Sequence, residues 1–408
     1  MIDFIDVESD RFYIMGDVFR YRGTLDTRAL RDALLVMLQR HDVLRAVYDA
    51  SGQFVVRHTP QDAVDQAFSV VDSVTDVDSA VRHIRAALGA DFDLTQEVPI
   101  RVRVWASAED LEFVIGVGVH HLAFDAWSQM LLYEGISEEY ATMLTGDGTT
   151  STVSVPQYRD LGEIPPAPSA LAAWADVLDQ KYSAVRAVDS RAVSKTGPAS
   201  QRHREWEGLA AAVKKTARAH KVSPFVVGSA AFAFSVADAL GDTQVVFGSA
   251  HAGRTNAAEA EALGYFATSM FIGVDTASGD QAVLREIAAI VRRWNTGHRI
   301  QWEHLLNTHE AADLYPLKFA FQPEALANRQ LRIAGADGMK VRSDRPPQSA
   351  RRPLNFVSSY DHTSVRATAT ARTDALSEST SNALVDGFAL HLLRLAAHDR
   401  PEPVGTEQ

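Results

Sequence analysis

An α/β chain with two cores is the fold class this sequence predicts, and three observations predict it. Its 408 residues are enough for two domains of ordinary size. Runs rich in β-branched residues alternate with stretches whose apolar residues recur at helical spacing. The second half repeats the style of the first, with a capped helix leading to a short apolar strand. The boundary is predicted near Val185 to Lys195, which divides an N-terminal lobe, 1–185, from a C-terminal lobe, 186–408.

The elements follow in order. A strand is expected from Arg11 to Arg22, and Gly23-Thr24-Leu25-Asp26 then turns the chain. Asp26 or Thr27 can cap a helix carrying Leu30, Ala33, Leu34, Met37 and Leu38 on one side. That helix ends at Arg40-His41, where cations suit a helix C-terminus. Val43 to Tyr48 is apolar enough for a strand. Asp76 caps a second amphipathic helix, with Val77, Val81, Ile84 and Leu88 along one face. Pro99-Ile100-Arg101 opens a strand ending near Trp105, and the polar Ser107-Ala108-Glu109-Asp110 makes it one arm of a hairpin. The other arm, Phe113 to Val119, is rich in β-branched residues and reads as a buried strand.

That strand closes on His120-His121, and Leu122-Ala123-Phe124-Asp125-Ala126-Trp127-Ser128 follows. Beyond it Trp127, Met130, Leu131, Ile136, Tyr140 and Met143 recur at helical spacing. The histidines therefore sit where a strand ends and a helix begins, a place from which a loop can present side chains for chemistry. A neutral imidazole accepts a proton near pH 7, provided its tautomer and direction are fixed. Adjacent residues on an extended segment point opposite ways, so His120 and His121 are not expected to share a metal ion.

A composition-defined loop spans Thr145 to Thr152, and Ile164-Pro165-Pro166-Ala167-Pro168 punctuates the chain before a helix from Leu171 to Tyr182 with Trp174 and Leu178. Leu209 to Ala219 is a helix. Ser223-Pro224 supplies an N-cap with proline at the first helical position, and Gly241 lies past the end. The helix between them is apolar nearly all round, so it should be buried. Val245 to Gly248 is a short buried strand, and Asn382 to Ala396 is a closing helix with Leu384, Phe388, Leu392 and Leu395 on one face.

Composition removes several function classes. A formal net charge of −12 argues against a nucleic-acid partner. The absence of cysteine removes disulfides, thiolate catalysis and cysteine metal sites. No apolar run reaches the length of a membrane span, and the N-terminus lacks the order of a signal peptide, so a cytoplasmic protein is expected. No phosphate loop, dinucleotide glycine fingerprint or metal cluster is present. His304 and His309 stand one residue too far apart for a helical metal pair and read as surface or packing residues.

The string His120-His121-Leu122-Ala123-Phe124-Asp125-Ala126-Trp127-Ser128 resembles the HHxxxDG signature of the condensation-domain superfamily, followed by the Trp-Ser of peptide-forming members. Other segments fit in the family's order. Arg40-His41-Asp42-Val43-Leu44-Arg45 resembles RHExLR, Asp91 to Arg101 its FDL–P–LR passage, Tyr158-Arg159-Asp160 its YxD element and His251-Ala252-Gly253-Arg254 its GR turn. Gly264-Tyr265-Phe266-Ala267-Thr268 resembles GxFVNT, with Thr268 where asparagine is usual. His298 to Glu303 falls where the family has QDYPFE, and Tyr315 to Gln322 and Pro353 to Phe356 resemble strands of the second lobe. The chain departs at Ser9 to Phe12, where the first motif's glutamine is missing, and at Ala126, which replaces the signature glycine.

The resemblance implies two chloramphenicol acetyltransferase-like lobes in a V-shaped pseudo-dimer with a central tunnel. It implies acyl transfer to an amine or hydroxyl acceptor, small or carrier-bound, from a thioester on the phosphopantetheine arm of an acyl or peptidyl carrier protein acting in trans. The setting it implies is nonribosomal, natural-product and antibiotic biosynthesis, with the enzyme free-standing and no bound cofactor. His121 is then the general base or positioning residue. His120, Asp125, Ala126, Trp127 and Ser128 support the motif, and Arg45 is the candidate ionic partner of Asp125. Gly264 and Thr268 are expected beside the tunnel or substrate. Two further readings are a coenzyme A-dependent acyltransferase of the same superfamily and a degenerate scaffold that recruits carrier proteins.

Overall fold

A computed structural model describes residues 13–49, 54–107, 111–146, 154–161, 196–295, 317–341, 347, 349–350 and 352–397. The chain forms two compact units. One comprises Met1–Ile164, Ala252–Ala267 and Asn328–Ser343, and the other Pro165–His251, Thr268–Ala327 and Asp344–Gln408. The cut expected near Val185 to Lys195 lies outside the described residues. Two stretches beyond it, Ala252–Ala267 and Asn328–Ser343, belong to the first unit, so the contiguous division into 1–185 and 186–408 does not describe the units.

In chain order the elements are β1 (Ile14–Gly23), α1 (Thr27–Arg40), a 3-10 turn (Asp42–Arg45), β2 (Ala46–Tyr48), β3 (Phe54–Val56), α2 (Pro60–Ala67), β4 (Phe68–Val70) and α3 (Val77–Leu88). The hairpin β5 (Ile100–Ala106) and β6 (Glu112–His120) leads into α4 (Ala126–Thr145). Then come β7 (Gly197–Glu207), α5 (Leu209–Ala219), α6 (Pro224–Leu240), β8 (Gln244–His251), α7 (Ala257–Glu261), β9 (Thr268–Asp275) and α8 (Asp280–Asn295). After them run β10 (Leu317–Pro323), α9 (Glu324–Ala327), β11 (Ala336–Lys340), β12 (Ser349–Ala350), β13 (Leu354–Tyr360), β14 (Ser364–Arg372) and α10 (Glu378–Ala397).

The first unit is built on a five-stranded sheet in the order β11-β1-β6-β5-β4. The strand β6 lies at its centre, antiparallel to both neighbours, with Ile14 opposite His120 and Ile100 opposite Val119. Alternate residues face different layers. Phe113, Ile115, Val117 and Val119 pack with Leu30, Leu34, Leu132 and Tyr133 of α1 and α4. Val114 packs with Val81, Ile84 and Leu88 of α3. Burial on both faces explains why this strand reads as one continuous apolar run and not as alternation. It also fixes where His120 and His121 emerge, because the register of β6 is set on both edges.

Local chemistry explains the helices beside it. Asp26 caps α1 by accepting from the Ala29 N–H, and Asp76 caps α3 by accepting from the Ser79 N–H. Two expectations are corrected. Residues 42–45 form a 3-10 turn and the strand is confined to Ala46–Tyr48, because Arg45 folds back to the Leu38 carbonyl and to Asp42 and closes a tight turn. The stripe that α4 buries is Leu132, Tyr133, Ile136 and Tyr140, together with polar Gln129, Ser137 and Glu139, while Trp127, Met130, Leu131 and Met143 are half-buried. Those polar groups have partners: Gln129 donates to Asp17 and Tyr133, Ser137 accepts from the Arg332 N–H, and Glu139 pairs with Arg40.

The second unit has a seven-stranded sheet in the order β12-β7-β14-β13-β10-β8-β9. Its helix α6 is capped by Ser223 and ends on Gly241, as its sequence predicts, and its middle is buried all round. Phe232 stacks on Phe319 at 4.5 Å and meets Phe247 and Phe356 edge-on or tilted. Among the described residues no single helix is long and apolar enough to cross a membrane. Outside the described residues lie the readings on Ser9 to Phe12, Ala108 to Asp110, Asp147 to Thr152, Ile164 to Pro168, Leu171 to Tyr182, His298 to Glu303, His304, His309 and Tyr315-Pro316.

Candidate active site

The site is built on the turn between β6 and α4. Two backbone bonds fix the turn. The His120 N–H donates to the Pro99 carbonyl (2.9 Å) and the His121 N–H to the Tyr13 carbonyl (2.6 Å), which carries the sheet pairing one residue past the strand. The two imidazoles then part, as alternation requires.

His120 is fully buried. Its ring meets Phe92 edge-on at 5.8 Å and stacks with Tyr13 at 6.4 Å. Its Nδ1 accepts from the Leu122 N–H at 3.1 Å, so that nitrogen bears no proton. His120 is thereby a packed strut of the turn. His121 is half-buried and has the opposite arrangement. Its Nδ1 lies 2.6 Å from the Phe124 carbonyl oxygen, which can only accept, so Nδ1 carries the proton and Nε2 holds the lone pair. A ring nitrogen fixed to a carbonyl sets the tautomer of the neutral ring, as a proton acceptor requires.

Asp125 occupies the N-cap of α4 and is buried. One oxygen, Oδ1, accepts from the Ser128 N–H at 2.8 Å. The other, Oδ2, accepts from Arg254 Nη1 at 2.6 Å and from the Phe266 N–H at 3.0 Å. This corrects the expected partner, because Asp125 pairs with Arg254 and not with Arg45. Arg45 has an acid of its own three residues away, Asp42, and also donates to the carbonyls of Leu38 (2.7 Å) and His58 (3.1 Å). Asp42 takes a second cation, Arg159, at 2.8 Å. The Arg40 to Arg45 segment thus fastens the end of α1. His41 within it is pushed down to about 4, first by burial and then by Arg40, and so stays neutral near pH 7.

Arg254 arrives on the segment Ala252–Ala267, which the rest of the signature also grips. Its Nη2 donates to Ser128 Oγ (2.7 Å) and to the Ala262 carbonyl (3.1 Å), and its guanidinium lies 4.3 Å from the Phe266 ring centroid. Ser128 Oγ donates to the Gly264 carbonyl (2.7 Å) and accepts from the Gly264 N–H (3.0 Å). The Trp127 indole N–H donates to the Ala260 carbonyl at 3.0 Å. Gly253, just before Arg254, has φ of +70°, a conformation that glycine adopts without strain. At Gly264 the requirement is close approach, since a Cβ there would lie 2.2 Å from Tyr158 Cδ2. The Tyr158 hydroxyl donates to the Tyr265 carbonyl at 2.9 Å.

Of the residues singled out by sequence, His120, His121, Asp125, Trp127, Ser128 and Gly264 are gathered on this turn and the segment it holds. Ala126 is the first residue of α4 and has no positive φ, so its backbone makes no demand for glycine. Thr268 opens β9 in the second unit, opposite His251. Sequence reasoning missed the role of Arg254, which lies 129 residues from its acid. The Gly253-Arg254 turn was the signal for it. Tyr265 was missed as well; its ring stands edge-on to the His121 imidazole at 5.3 Å.

The model of the condensation domain family matches residues 7–403. The isonitrile lipopeptide synthase of Mycobacterium tuberculosis is 28% identical over 289 residues, 65% of this chain and 11% of that protein. The chain thus spans about a tenth of the length of that relative. Two solved structures share the fold. The X-domain from teicoplanin biosynthesis has a TM-score of 0.72 at 17% identity, covering 95% of this chain and 91% of its own. VibH, a nonribosomal peptide synthetase condensation enzyme, has a TM-score of 0.69 at 16% identity, covering 96% and 93%. The match across nearly the whole sequence, in a chain with a histidine pair at the end of β6 and an aspartate capping α4, places this chain in the condensation-domain family.

Proposed function

We propose that this chain catalyses acyl transfer, joining an acyl group to an amine or hydroxyl acceptor to form an amide or an ester. The donor in this reading is a thioester on the phosphopantetheine arm of an acyl or peptidyl carrier protein, and the setting is natural-product biosynthesis. The acceptor's nitrogen or oxygen attacks the thioester carbonyl carbon, the carbon–sulfur bond breaks, and the thiolate leaves. His121 Nε2 receives the acceptor's proton and returns it to the departing sulfur. The reaction as written balances without a resident cofactor, because the arm enters as part of the substrate.

The observation that carries this reading is the bond between His121 Nδ1 and the Phe124 carbonyl, which sets the tautomer a base requires. Asp125 does not take the proton. It is occupied by Arg254 and two backbone N–H groups and holds the turn in place. General-base assistance is typically worth about 10²–10⁴ in rate. The test is product formation followed by mass spectrometry, with loaded carrier proteins and, in parallel, acyl-coenzyme A at equal concentration. His121→Ala is expected to lose about 10²–10⁴ of the rate while circular dichroism and Tm stay at wild-type values. Normal turnover by a folded His121→Ala protein removes the assignment, and preference for the coenzyme A donor removes the carrier.

A further inference from the structure

The segment that Asp125, Trp127 and Ser128 hold brings one more side chain to the site. Tyr265 lies between two anchored neighbours. The Gly264 backbone is bound at both its N–H and its carbonyl by Ser128, and the Phe266 N–H is bound by Asp125. The carbonyl of Tyr265 itself is bound by Tyr158. Consecutive residues are thus tied down, and the direction of the Tyr265 side chain follows from that. Its ring meets the His121 imidazole edge-on, at 5.3 Å between centroids and 83° between planes. The ring is half-buried.

We propose that Tyr265 is a positioning and specificity-determining residue, whose ring holds the His121 imidazole in its reactive orientation and limits the size of the acceptor admitted beside it. This rests on the acyl-transfer reading of His121. Two effects follow from one ring. An edge-to-face contact restricts rotation of the imidazole about its own bonds, so loss of the ring lowers kcat. A rigid aromatic wall also excludes bulk, so its loss relaxes the ranking of acceptors, and pocket contacts of this size discriminate by about 10-fold or more.

The experiment compares wild type, Tyr265→Ala, Tyr265→Phe and His121→Ala with one donor and a series of amines or alcohols of increasing bulk. For Tyr265→Ala, the ratio of kcat/KM between bulky and small acceptors is expected to rise about 10-fold, with a lower kcat for the smallest. Tyr265→Phe keeps the ring and restores the wild-type ranking, which loss of fold or of the hydroxyl would not explain. Tyr265→Ala with an unchanged ranking overturns the wall, and if His121→Ala is inactive in the same assay, the acyl-transfer reading stands without it. Full activity in His121→Ala overturns that reading instead. A readout independent of turnover then decides the contact: the His121 imidazole proton resonances shift in Tyr265→Ala if the ring sits where described, and stay in place if it does not.

Discussion

Arg254 donates from both terminal nitrogens, to Asp125 and the Ala252 carbonyl through Nη1, and to Ser128 and the Ala262 carbonyl through Nη2. The pair with Asp125 is almost fully enclosed, with 4% and 2% of the two side chains exposed. Removing one member of such a pair leaves a buried charge alone, which costs about 3–5 kcal/mol. Arg254→Met is therefore expected to lower stability by about that amount in chemical denaturation. Arg254→Met with Asp125→Asn should recover part of it, because the stranded charge is gone. Arg45→Met should cost less, since Asp42 keeps Arg159. The misassignment of Arg45 has a physical origin. A cation near an acid in sequence satisfies that acid first, and Asp42 lies three residues away. The true partner of Asp125 comes from a distant stretch, where no periodicity in the sequence points to it.

At the level of elements, the readable features were those decided locally. Caps at Asp76 and Ser223, and the left-handed end at Gly241, depend on a few neighbouring residues and were plain in the sequence, while the cap of α1 was narrowed to Asp26 or Thr27, of which the structure uses Asp26. So was β6, whose apolar run follows from burial on both faces. The buried stripe of α4 was not legible. Gln129, Ser137 and Glu139 look like surface residues, and their bonds to Asp17, Tyr133, Arg332 and Arg40 offset the cost of burial. The segment Ala252–Ala267 shows the same limit, because its shape comes from what grips it. Gly264 tests this. Gly264→Ala sets a methyl group against the Tyr158 ring and is expected to cost about 1–3 kcal/mol. The same change in a Tyr158→Leu background should cost less, and a thermal-unfolding double-mutant cycle reads the difference.

For the whole molecule, two α/β units were legible from length and alternation, but their boundaries were not, because chain order and spatial grouping differ. The first unit takes in Ala252–Ala267 and Asn328–Ser343. Those stretches supply Arg254 and β11, which pairs with β1 from Phe19 to Gly23. A fragment of residues 1–185 therefore lacks the cation of Asp125 and one edge of its sheet. Expressed alone, it is expected to show fast hydrogen exchange at the Ser128 amide, while the full chain protects it. Strong protection in the fragment would show that the later stretches are dispensable.

The Ser128 hydroxyl has a kinetic consequence. Its proton goes to one carbonyl and its lone pairs to an amide and a guanidinium, so it has no capacity left to carry an acyl group. With no cysteine in the chain, with Asp125 held by Arg254 and two backbone N–H groups, and with His121 acting as base, the proposed transfer has no uncommitted hydroxyl or thiol on this turn at which to pause. Both reactants must then be held at the same moment, and initial-rate plots against the two should converge in the pattern of a ternary complex, not run parallel as in double displacement.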